Sequence, residues 1–147
     1  MRVRERKTMP RVTRLMAEQL LSDYTRNKRE LAMMRDDSIP STTPSYSLTS
    51  GVQSGNPEAR PTEEITMTIV ADARYIYLTT AIKSVEKLLH QIDPATQRLL
   101  YLVYMAPDPI SISAASTVVN QSQANAYRCV LQALTQLAII AGYMPAP

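Results

Sequence analysis

Tryptophan and phenylalanine are absent from this 147-residue chain, cysteine and histidine occur once each, and glycine three times. Each scarcity excludes something. A single thiol, Cys129, rules out a disulfide framework within the chain, and His90 as the only imidazole leaves an ordinary zinc site short of ligands. There is no run of about 18 apolar residues and no basic segment leading into a short apolar one, so no membrane contact is expected and a cytoplasmic location is. Paired carboxylates, a nucleophile beside a base and a glycine-rich phosphate loop are all missing, so neither an enzyme nor a bound cofactor is expected. What remains for a core is Leu, Ile, Val, Met and the ring faces of eight Tyr, a set suited to helix-on-helix packing with Met as gap filler.

Charge is unevenly spread behind a net value of only +3. Ten of the sixteen basic residues fall in the first 35 positions, among them Arg2, Arg4, Arg6, Lys7, Arg11 and Arg14, against four acids there. From Leu99 onward only Asp108 and Arg128 are charged. Attraction to a polyanion would therefore come from the front of the chain, with those six cations as nonspecific phosphate contacts.

Taken in order, the chain divides into a basic arm with an amphipathic helix (1–38), a flexible linker (39–60) and a helical domain (61–147). Leu15, Met16, Leu20, Leu21, Tyr24 and Leu31 recur at spacings of three and four, which predicts a helix from Thr13 to about Arg35. The stretch from Asp36 to Pro61 holds four prolines and two glycines with many Ser and Thr, too little apolar surface to offset the entropy of ordering. A long helix then opens near Pro61, with Glu63 and Glu64 placed to meet the positive end of its dipole, and runs to Ile92. Asp93-Pro94 restarts the chain as N-cap and first helical residue, predicting a helix to Met105 before Ala106-Pro107-Asp108-Pro109.

The stretch 111–142 reads as two helices around a tight turn. Ser111 to Val119 is short and small-sided; Ser122, after Asn120 and Gln121, is the natural N-cap of a longer helix that stops at Gly142. A short helix, a turn of about three or four residues and a longer helix make a helix-turn-helix, whose second helix can reach base edges in DNA. The expected fold is all-α: a helical bundle with a carboxy-terminal helix-turn-helix and an amino-terminal helix on a flexible linker. If the second helix enters a major groove, Gln123, Asn125 and Arg128 read bases, while Gln121 and Ser122 lie near phosphates. The plain alternative is that these side chains are polar helix surface.

The string Ser122-Gln123-Ala124-Asn125-Ala126-Tyr127-Arg128, with Val119 three residues before the serine, resembles the recognition helix of sigma-factor region four and of phage late-gene regulators of the RinA/ArpU type. Three other short motifs match that group in order: Leu20 to Tyr24 with Lys28-Arg29-Glu30-Leu31, Pro61-Thr62-Glu63, and Arg98-Leu99-Leu100 with Tyr104. The resemblance spans about residues 15 to 142. It implies a phage or prophage transcriptional regulator that binds promoter DNA and activates late genes, with RNA polymerase as a further partner. The chain departs from the group where Cys129 follows Arg128 in place of an aromatic, and where the recognition helix has no other cation. Affinity for DNA rests largely on phosphate neutralisation, so the missing charge must come from the arm or from a homo-oligomer. Failing both, the helices are a protein contact surface, and the alternative expectation is a helical phage assembly or adaptor protein. Apolar residues over much of the last helix, Ala124 to Ile140, lead to the expectation that it is buried against another subunit or a polymerase.

Overall fold

The computed structural model describes residues 8–38 and 60–146. Among these the protein is all helical, with no strand. In chain order the elements are α1 (Arg11–Ser38), α2 (Arg60–Gln91), α3 (Pro94–Leu100) running into a π-helical turn (Tyr101–Met105), α4 (Ile112–Val119) and α5 (Gln123–Ile140). The expected linker and the cations Arg2, Arg4, Arg6 and Lys7 lie outside the described residues. No helix among those described is long and apolar enough to cross a membrane.

Local chemistry sets most helix ends. Asp93 is extended and accepts from the Thr96 amide at 3.3 Å and the Thr96 hydroxyl at 2.6 Å, with Pro94 filling the first helical position that needs no N–H. Those bonds favour the charged carboxylate: the Thr96 hydroxyl, ahead of the backbone amides, holds the Asp93 pKa below its ordinary 3.8. After Leu100 the chain widens by one residue per turn, and the Ala106 amide reaches back five positions to the Tyr101 carbonyl at 2.7 Å. Ala106 itself is extended, as expected of a residue before proline. The helix expected from Ala95 to Met105 thus has an α-helical first part and a π-helical end.

The described residues fall into two compact units, one drawn from 1–26 and 80–147 and the other from 27–79. The core of the first gathers Ala17, Leu20 and Leu21 of α1, Ala81, Val85 and Leu88 of α2, Leu99 and Leu100 of α3, and Ile112 and Ala115 of α4. α5 adds Ala126, Val130, Ala133, Leu134, Leu137 and Ala138, a stripe at helical spacing. The apolar residues of α5 are therefore largely buried within their own chain, which corrects the expectation that another subunit must cover them. Tyr127 and Leu131 stay on its open side. Around this core, Tyr24 donates to Glu86 at 3.1 Å, and Glu18 accepts from both Arg14 (3.1 Å) and Tyr104 (3.2 Å). Burial, reinforced by the Glu18 charge, pushes the Tyr104 phenol well above its ordinary range.

In the unit 27–79, Leu31 and Leu78 are buried, and Arg74 forks onto Glu30 with two bonds of 2.7 Å while lying 5.2 Å from the Tyr77 ring centre. From Thr68 to Tyr77 every residue of α2 is exposed, including Ile69, Val70 and Ile76. Asn27 Nδ2 and Thr79 Oγ1 are buried with no hydrogen-bond partner among the described residues.

Candidate functional site

α4 and α5 are joined by three residues, Asn120, Gln121 and Ser122, and the two helices pack on one another. Asn120 takes the left-handed conformation, φ 63° and ψ 44°, which Asn tolerates better than most residues. There the Gln121 amide reaches the Ser116 carbonyl (2.9 Å) and the Asn120 amide the Thr117 carbonyl (3.2 Å), the paired bonds that close a helix on a left-handed residue. Gly142, at φ 82°, closes α5 the same way through Tyr143 to Ala138 (2.8 Å) and Gly142 to Ile139 (3.1 Å). Ser116 is buried, with its hydroxyl donating to the Ser113 carbonyl, so a small satisfied side chain lines this packed side of α4.

Ser122 caps α5 as its sequence suggests, its hydroxyl accepting from the Asn125 amide at 3.2 Å. The front of α5 then carries the other candidate residues. Gln123 is exposed and donates through Nε2 to the Ser113 hydroxyl at 2.7 Å, tying the start of α5 to α4. Asn125, half-buried, donates through Nδ2 to Gln121 Oε1 at 3.1 Å, and its Oδ1 accepts from Arg128 Nη2 at 2.5 Å. Gln121, in the turn just before the N-cap, thus forms a continuous polar chain with Asn125 and Arg128 of α5. Arg128 ends that chain exposed to solvent.

Ser113 is the member that sequence reasoning missed. Nothing in its neighbours marks it, because its role depends on how α4 closes against α5. Beyond Arg128 the open side of α5 continues as a shallow groove lined by Arg128, Leu131, Gln132, Thr135 and Gln136. Of the candidate phosphate contacts, Arg11 and Arg14 are exposed near the start of α1, and Arg14 is paired with Glu18. Cys129 is half-buried and free, His90 is exposed in the last turn of α2, and among the described residues no group of three or more His, Cys, Asp or Glu is placed to hold a metal.

The site therefore offers hydrogen-bond donors and acceptors, one exposed cation and no acid on a helix front. Such a surface can exchange hydrogen bonds with a polar partner. No protein-family model, curated protein or solved structure matches the chain.

Proposed function

We propose that this protein is a transcriptional regulator of the phage or prophage kind, binding promoter DNA through α4 and α5 used as a helix-turn-helix, with α5 in the major groove. The observation that carries the reading is the three-residue turn, which leaves Gln123, Asn125 and Arg128 at the front of a helix whose back is buried. Arg pairs with guanine and Gln with adenine in a major groove, each contact worth about 1 to 3 kcal/mol of discrimination. Activation of late genes is what the resemblance of the Ser122 to Arg128 string to phage late-gene regulators of the RinA/ArpU type implies, and contact with RNA polymerase is what its resemblance to sigma region four implies. Phosphate neutralisation falls to the amino-terminal cations and to self-association. Exposed Ile69, Val70 and Ile76 on α2 favour the latter.

The test is fluorescence anisotropy on duplex DNA from the neighbourhood of the gene, at low and moderate salt. Two variants accompany the wild type: Arg128→Ala, and a variant with Arg2, Arg4, Arg6 and Lys7 changed to Gln. Site-specific binding weakened by Arg128→Ala supports the reading, and a flatter salt dependence in the Gln variant assigns the arm to phosphates. Absence of binding by the folded protein at low salt removes it.

That negative result would favour a second reading, a helical assembly or adaptor protein. Tyr127 and Leu131, exposed on the open side of α5, are the observation on its side.

A further inference from the structure

We infer that Asn125 does not read a base but positions Arg128, and that Gln121 holds it in that role; the inference rests on the DNA-binding reading above. An asparagine that reads adenine must present its amide N–H and its carbonyl together, one to N7 and one to N6. Both ends of the Asn125 amide are engaged within the chain. Its Nδ2 donates to Gln121 Oε1 at 3.1 Å, its Oδ1 accepts from Arg128 Nη2 at 2.5 Å, and the side chain is half-buried while Arg128 is exposed.

The polarity of the chain has a direction. Gln121 accepts, which turns the Asn125 N–H2 toward the turn and its oxygen toward Arg128. The oxygen in turn anchors one arm of a guanidinium that has five N–H donors, leaving donors for a second, bidentate partner. A long side chain otherwise loses much rotamer freedom on binding, and anchoring it beforehand lowers that loss. From Leu99 to the end Arg128 is the only cation, so this part of the chain has one guanidinium to aim. The chemistry it fits is the O6/N7 edge of a guanine in duplex DNA.

The experiment uses the full chain and a duplex footprinted by the wild type, with every base pair of the footprint substituted in turn. Affinities are measured for Asn125→Ala, Asn125→Asp, Arg128→Ala and the Asn125→Ala/Arg128→Ala double variant. Arg128→Ala is expected to erase the preference at one G·C pair, roughly tenfold or more. Asn125→Ala is expected to weaken preference at that same pair several-fold, with no further loss in the double variant. Asn125→Asp keeps an acceptor for Arg128, and Gln121 can turn its amide to donate to the new carboxylate, so the guanine preference is kept, at lower affinity for every sequence because a negative charge is added.

The inference is overturned if Asn125→Ala relaxes an A·T pair instead and its loss adds to that of Arg128→Ala. It is also overturned if Asn125→Asp loses the guanine preference. Should Asn125→Ala melt early, the aspartate variant decides alone. Failure of the wild type to bind any DNA is a different result, which removes the regulator reading and the inference with it.

Discussion

In α4 and α5 the helix ends and the polar side chains at the turn have partners: Ser111 and Ser122 cap, Asn120 and Gly142 close, and Gln123 reaches Ser113. The unit 27–79 is put together differently. It buries Asn27 Nδ2 and Thr79 Oγ1 without partners among the described residues and leaves Ile69, Val70 and Ile76 in solvent. An unsatisfied buried polar group costs about 1 to 3 kcal/mol, and exposed apolar side chains contribute no burial. Resistance to local opening should therefore sit with the core built around α5, and the unit 27–79 should open at lower cost.

Native-state hydrogen exchange tests the contrast directly. The largest single effect is expected from Leu137→Ala, which removes a fully buried side chain and costs about 2 to 5 kcal/mol in denaturant melts, with loss of protection throughout α5. Next, Asn27→Leu should stabilise by about 1 kcal/mol, since an orphaned donor is replaced by an apolar group of similar size. A loss of stability instead would mean that the amide has a role the orphan reading misses.

Smaller again is the cap of α3. Asp93→Ala should cost about 1 kcal/mol at neutral pH. Because the folded pKa of Asp93 is depressed, its stabilisation is present above the unfolded value near 3.8 and is lost as pH falls through the folded one. The gap between wild type and variant should therefore close in acid melts. Smallest is Arg74→Ala, an exposed pair with Glu30 worth up to about 1 kcal/mol and weaker in high salt.

How far the sequence foretells these features depends on the range of the physics involved. Asp93, Ser122 and Gly142 are legible because a cap is a bargain between a side chain and the next turn of its own helix. The start and end of α1 fall two and three residues beyond the periodic apolar pattern, at Arg11 and Ser38, since apolar spacing marks the buried face and not the last hydrogen bond. The π-helical turn has no residue code and was invisible. So was the gathering of Leu20, Val85 and Leu99, residues far apart in sequence, into one core with the α5 stripe. Within the site, the residue types were legible and their mutual bonds were not. The sequence groups Gln123, Asn125 and Arg128 as base readers and Gln121 with Ser122 near phosphates, whereas the chain that links Gln121 to Asn125 and Arg128 emerges only from the folded turn.

The wide turn at Tyr101–Met105 also has a meaning for changes in chain length. A turn that spans one residue more than an α-helical turn is where one amino acid has been absorbed without lengthening the loop that follows. Deleting one residue there would let α3 continue as regular helix. Ala106, Pro107 and the entry to α4 would leave the axis at nearly the same angle, since five residues of the wide turn and four of α-helix each sweep a little more than one turn. The wide turn thus acts as a length buffer, in which the helix takes up or gives back one residue while everything after Met105 keeps its direction of exit.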